Sequence, residues 1–462
     1  MGLRTAITLS AGMLLLAGCT ADPGAPARAA TYESAACPDD VEVMLVAAHT
    51  CGYVVIPRDT GPDLRIFALS VDPPGKPFGG PILETGTDLG MTPSYSGLAP
   101  IAERTGRRVV IVDLPGTGHS TPSLNCPEVD ALPARTATAT EVARAVGSCR
   151  ARLAAAGVPT SDFTVSALGS DLHDIISALG GRGWVVMAHG TSGRAAATLA
   201  AEHPEQVAAL ALSSPTYRDE TPVRPIVADV ARRCAANRGC TARYGDPLRN
   251  WTEAIGRARR APLRIRMQQQ TLVMDADHVV AAVRWLVAPA VRGAGQLPAL
   301  LAELASRRPG TELELYAATA LAAPPLCVGY LPRCETGSTI AIGAALSSLC
   351  PDVADAPRWQ HACAAWGVAA DTRPPAPVRN VPTLALIGRY DPFADPTTSR
   401  ADLARLAPHA FVVEDPNGGH NVLAGECLRE VRNSWLVGDP HDPPSHPPCM
   451  RLPLAFTETP HA

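Results

Sequence analysis

Short apolar runs alternate with stretches of helical periodicity over most of the chain. Residues 64–71, 81–84, 108–113, 184–188, 207–213 and 383–387 are short, mostly apolar runs followed by Gly, Pro, Asp or Ser turn residues, which predicts strands, several of them buried on both faces. Between them, residues 98–105, 140–155, 166–179, 192–202 and 398–406 place apolar side chains at helical spacing. Strand and helix in alternation predict an α/β architecture, a mostly parallel, doubly wound sheet with helices on both faces. One more strand is expected over 411–414. From 216 to 377 the alternation stops and the chain turns helix-rich, with many Ala and Arg, as an inserted helical cap would.

The ends narrow the folded part. One basic residue, Arg4, precedes an apolar run from Ala6 to Leu16, so residues 1–18 read as a signal peptide, too short to stay in a bilayer as a spanning helix. Leu16-Ala17-Gly18-Cys19 resembles a bacterial lipobox, which implies acylation of Cys19. Residues 19–36, rich in Ala with scattered Pro, Thr and Asp and no periodicity, suit a lipoprotein tether. The body is then expected over 37–215 and 378–462, with the cap at 216–377 between its halves. No later apolar run reaches the length of a membrane span. Membrane contact is therefore expected through the lipid anchor alone, and the location is exported: anchored in a bacterial envelope, or secreted.

Charge and cysteines refine this picture. A formal net charge of −4, with Arg and acidic residues interspersed, argues against nucleic acid as a partner. Thirteen cysteines include Cys19, and the other twelve form an even set in a chain carrying an export signal, so disulfides are expected. Local spacing suggests Cys37 with Cys51, Cys126 with Cys149, Cys234 with Cys240, Cys327 with Cys334, Cys350 with Cys363 and Cys427 with Cys449, although spacing alone leaves other connectivities open. The Pro-rich stretch 440–448 would be pinned by Cys449. Close C-x-x-C pairs of the kind zinc prefers are absent, and no motif calls for a cofactor or a metal.

Three segments carry candidate chemistry. Val109-Val110-Ile111-Val112-Asp113-Leu114-Pro115-Gly116-Thr117-Gly118-His119-Ser120 is a strand followed by a glycine-rich turn. A second strand, turn and helix passes through Ala188-His189-Gly190-Thr191-Ser192 and runs on to His203-Pro204 and Ser213-Ser214-Pro215. The third is Gly388-Arg389-Tyr390-Asp391-Pro392, followed by Gly418-Gly419-His420. Together they resemble the secreted tripeptidyl aminopeptidases and proline-iminopeptidase-like α/β hydrolases of bacteria. The resemblance runs from about Cys37 to the C-terminus and includes Cys51-Gly52-Tyr53, Arg233-Cys234 and the Cys427 to Cys449 tail. It implies an α/β-hydrolase fold, with Asp391 as the acid that orients His420 and His420 as the base, in the chain order nucleophile, acid, base.

The same alignment exposes a break. Such hydrolases place serine at the centre of G-x-S-x-G, on a strained elbow; here that position is Gly190, which has no side chain to attack with. Ser192 is a substitute nucleophile only if the elbow moves by two residues; otherwise it sits in the first helical turn. Thr191 would offer its backbone N–H to an oxyanion. The oxyanion loop after strand 81–84 reads Gly86-Thr87-Asp88, and a carboxylate at Asp88, about 5 Å from a developing oxyanion at an effective dielectric near 20, would repel it by about 3 kcal/mol. A metal-hydroxide site would need three ligands, which His119, His189 and Asp88 could supply, but these residues read first as ordinary loop positions. The expected function is an exported peptidase-like α/β hydrolase that has lost efficient acyl transfer and binds a peptide or small-molecule ligand between cap and sheet edge, with His420 and Asp391 at the floor. The alternative is an active aminopeptidase using Ser192, or water activated by His420.

Overall fold

Apolar runs with no polar face can bury only in the middle of a sheet, and they do. The computed structural model describes residues 28–45, 47–86, 95–132, 138–215, 222–267, 271–288, 293–319, 341–353, 360–368, 376–393 and 396–456; residues 1–18, Cys19, Thr87, Asp88, Cys327 and Cys334 lie outside them. In chain order the described strands are β1 (Thr31–Ala35), β2 (His49–Ile56), β3 (Leu64–Val71), β4 (Ile82–Glu84), β5 (Val109–Val112), β6 (Trp184–His189), β7 (Val207–Ser213), β8 (Leu263–Arg266), β9 (Thr271–Met274), β10 (Thr383–Gly388) and β11 (Phe411–Asp415). Nine of them form one sheet in the order β1-β2-β3-β5-β4-β6-β7-β10-β11. From β5 across to β11 every pair is parallel, while β1, β2, β3 and β5 pair antiparallel at the other edge.

Alternate residues feed two cores. Val110, Val112, Val186 and Ala188 face a layer that includes helices Ala139–Ala155, Val165–Ala178 and Ser192–Glu202. Val109, Ile111, Val185 and Met187 face helices Leu98–Thr105 and Glu426–Val437. Helix Ala139–Ala155 is started by a capping box, Thr138 accepting from the Glu141 N–H while Glu141 reaches back.

Two expectations need correction. The tether drawn over 19–36 ends earlier, because Thr31–Ala35 pairs along β2 as an edge strand. Four of its five residues are exposed, so it carries no hydrophobic alternation to announce it; backbone pairing and an exposed Glu33–Arg65 ion pair hold it. The stretch 216–377 is also not one packing unit. The β8–β9 hairpin and helices Val223–Ala235, Pro247–Arg260, Ala276–Val287, Leu297–Ser306 and Thr311–Thr319 bury Trp251, Leu286, Leu300 and Tyr316 in a cluster of their own. Helices Ile342–Val353 and Gln360–Trp366 instead join the main core, where fully buried Trp366 donates to the Ser347 hydroxyl at 2.9 Å.

Among the described residues five disulfides are formed: Cys37–Cys51, Cys126–Cys149, Cys234–Cys240, Cys350–Cys363 and Cys427–Cys449. All five pairs are those suggested by spacing. Among the described residues no helix is long and apolar enough to cross a membrane.

Candidate functional site

At the carboxyl edge of the sheet, β6 leaves the core through Gly190 and turns into helix Ser192–Glu202. Gly190 has φ +59°, a left-handed conformation that glycine adopts freely and that costs other residues about 1–3 kcal/mol. Its N–H donates to the Ser213 carbonyl at 3.0 Å, and its own carbonyl accepts from the Gly193 N–H at 3.1 Å. Thr191 follows in helical conformation, buried. The residue before the bend, His189, is buried and shares a 3.0 Å hydrogen bond between Nδ1 and the Ser213 hydroxyl.

That imidazole meets a second one. The rings of His189 and His420 lie edge to face with centroids 4.9 Å apart. His420 Nδ1 is 2.9 Å from Asp391 Oδ2, and both residues are buried. The other Asp391 oxygen accepts from the Phe393 N–H at 2.8 Å, and the Phe393 ring stands edge-on to His420 at 4.9 Å. On its far side the His420 carbonyl accepts from the Ser214 hydroxyl. With Nδ1–H donating to the carboxylate, the neutral ring presents Nε2 as its acceptor, the tautomer a general base requires.

Glycine makes the close approach possible. A Cβ on Gly388 would fall 1.9 Å from the Gly419 carbonyl oxygen, and one on Gly419 would fall 1.8 Å from that of Val287. The histidine loop is thus threaded between the end of β10 and the end of cap helix Ala276–Val287.

Ser192 is turned away from this group. Its hydroxyl donates to the His189 carbonyl at 2.8 Å and accepts from the Thr85 hydroxyl at 3.1 Å and the His189 N–H at 3.3 Å; among the described residues it makes no bond to His420. Gly86 follows β4 with φ +74°, while its oxyanion-loop companions Thr87 and Asp88 lie outside the described residues.

Asp113 is a turn-maker. Its carboxylate accepts from the Tyr95 hydroxyl at 2.7 Å and the His119 N–H at 2.6 Å; burial pushes its pKa up to about 6, those two donors opposing the rise. His119 sits instead beside Asp40 and on the Phe67 ring, so the contacts of His119 differ from those of His189.

Sequence reading missed one feature here, the strap that ties cap to acid. Asp229, on cap helix Val223–Ala235, accepts from Arg389 Nε and Nη2 at 3.2 Å and from the Tyr390 hydroxyl at 2.8 Å. Arg233 of the same helix lies 3.4 Å from Asp229 and donates to Asn417 at 3.0 Å. Burial pushes the Asp229 carboxyl up, but the bonds from Arg389 and Tyr390 and the charges of Arg389 and Arg233 outweigh it and hold it below the ordinary carboxylate value. Nothing in a single Asp at a helical position signals a partner 160 residues away.

A parallel sheet whose strand-to-helix bend, post-β10 acid and post-β11 histidine meet at one edge decides the architecture. The chain has the α/β-hydrolase fold. Residues 86–236 match the family described as alpha/beta hydrolase fold. Among solved structures, the chain is similar to a proline iminopeptidase from Mycobacterium smegmatis (17% identity, covering 83% of this chain and 97% of that one, TM-score 0.40). It is also similar to an enol-lactonase from Burkholderia xenovorans LB400 (17%, 81% and 97%, 0.39) and to an alpha/beta hydrolase fold protein from Chitinophaga pinensis (13%, 84% and 97%, 0.39). No curated protein matches it.

Proposed function

We propose that this protein is an exported, lipid-anchored α/β hydrolase of the tripeptidyl-aminopeptidase type that no longer performs acyl transfer and binds a peptide or small-molecule ligand. One observation carries the reading: the bend that should present a nucleophile is Gly190, next to the His189 ring that touches His420. The acid and base are present, but an acyl-enzyme needs an oxygen to acylate. Ser192 supports the same conclusion, since its hydroxyl is engaged by the His189 backbone and the Thr85 hydroxyl. Five disulfides in the described residues support an oxidising compartment.

The test is restoration of the hydroxyl. Purified wild type and Gly190→Ser are exposed to a fluorophosphonate and weighed intact. The reading expects no adduct on wild type and one adduct on the variant; an adduct on wild type, lost in His420→Ala, would sink it. A second reading, slow hydrolysis by water activated at His420, is favoured by the intact Asp391–His420 hydrogen bond, and it requires turnover of aminopeptidase or ester substrates that His420→Ala abolishes without any phosphonate labelling.

A further inference from the structure

On the sheet face opposite helices Ala139–Ala155 and Val165–Ala178, the described residues line a partly open cavity of about 140 Å³. Its walls are apolar, with Leu98, Ile101, Ile111, Met187, Ala211 and Leu386 among them, but two opposite charges line it, Glu84 at the end of β4 and Arg432 on helix Glu426–Val437. Arg432 is 5% exposed. Among the described residues its guanidinium has one hydrogen-bond acceptor, Asn433 Oδ1, which takes both Nε at 3.1 Å and Nη2 at 3.0 Å. Burial disfavours the cation; Glu84 supports it through space and Arg429 opposes it. A buried guanidinium ordinarily has a carboxylate or several acceptors around its fork, so one neutral amide oxygen leaves donor capacity turned toward the cavity.

We propose that this cavity binds a small apolar α-amino acid, its carboxylate on Arg432, its ammonium toward Glu84 and its side chain among the apolar walls. Opposite charges on the cavity wall select a zwitterion over a plain acid or amine, and an apolar lining of this size suits a branched aliphatic group; a cavity of about 150 Å³ admits benzene. The upper wall includes His189 and Asn421, the neighbours of Gly190 and His420, so occupancy is read at the histidine pair. The site does not depend on whether chemistry survives at Gly190.

The experiment is calorimetric titration of the purified full-length protein with L-valine, isovalerate (the same skeleton without the ammonium) and isobutylamine (without the carboxylate). Valine binds most tightly, isovalerate more weakly and isobutylamine not at all. Arg432→Gln weakens valine by about 30-fold or more, and Glu84→Gln brings valine down to the isovalerate level. Because Arg432→Gln can unfold the helix, Ala211→Val supplies a second arm: it fills the cavity, suits a strand and blocks valine in a folded protein. Absence of valine binding to wild type at about 10 mM, equal binding of valine and isovalerate, or undiminished binding in a folded Ala211→Val protein overturns the proposal.

Discussion

Removing the Asp229 carboxylate should loosen the cap from the acid turn by an amount the structure allows to be worked out. Arg389 is 40% exposed at its side chain, so its two bonds to Asp229 are screened and worth about 0.5–1 kcal/mol together. Tyr390 is buried, and its hydroxyl bond to a charged acceptor is worth about 1.5–3 kcal/mol. Asp229→Ala should therefore cost about 2–4 kcal/mol, and Asp229→Asn, which keeps an acceptor for Tyr390, about 1 kcal/mol. Urea denaturation gives the total, and amide hydrogen exchange of residues 223–235 and 388–393 shows whether the loss is local to the strap. The pH dependence has a definite sign. Because the folded carboxyl lies below its ordinary value, the contribution is complete above the unfolded pKa of about 4 and disappears as pH falls through the lower folded value. Wild-type-like exchange in both segments of Asp229→Ala would refute the strap.

Glu303 has the opposite sign: burial pushes it up to about 7, the Leu313 and Glu312 N–H bonds partly opposing, so its stabilisation is full below about pH 4.5 and lost as pH rises through 7. Unfolding free energies from urea titrations between pH 4.5 and 8 should fall less in Glu303→Gln than in wild type, by about 2 kcal/mol after allowance for partial exposure. Replacing Cys126 and Cys149 by Ala opens a loop with a sequence separation of 23 and should cost about 3 kcal/mol in calorimetric or denaturant stability. Asp391→Ala should cost about 2–4 kcal/mol even where no activity is measurable, because it strands His420 Nδ1 and the Phe393 N–H inside the protein; an unchanged denaturation curve would contradict that role.

How much was legible beforehand varied with what held each element. Central strands such as β6 and β7 and helices Leu98–Thr105 and Ser192–Glu202 agreed with their expected bounds to within a residue, because burial on the sheet dictates their pattern. The β8–β9 hairpin, β2 and edge strand β1 were missed: β8 alternates only over four residues, β2 opens on His49, Thr50 and Gly52 rather than on an apolar run, and β1 is almost wholly exposed. In the candidate site, Asp391 and His420 were legible from chain order, and coordinates brought them to 2.9 Å. The engagement of the Ser192 hydroxyl needed three dimensions. Arg432 did leave a trace. Leu428, Val431, Arg432 and Trp435 share one helical stripe, and a cation in the middle of a buried apolar stripe marks a special position.

Retention of the Asp391–His420 pair is weak evidence for retained catalysis, since folding alone supplies reasons to keep it. The His420 carbonyl is anchored by Ser214, its ring packs between His189 and Phe393, and its Nδ1 meets a carboxylate whose second oxygen holds the next turn. Cutting any of the hydrogen bonds leaves a buried polar group without a partner, a cost of about 1–3 kcal/mol each. Gly190 is differently placed. At φ +59° any other residue strains the bend by about 1–3 kcal/mol, and a serine would have only its reactivity to set against that strain. Once the hydroxyl is no longer needed, glycine is the residue the backbone itself prefers, whereas the acid and base remain bound into the closure of their loops. A hydrolase fold that loses its chemistry should therefore lose the nucleophile first and the dyad last.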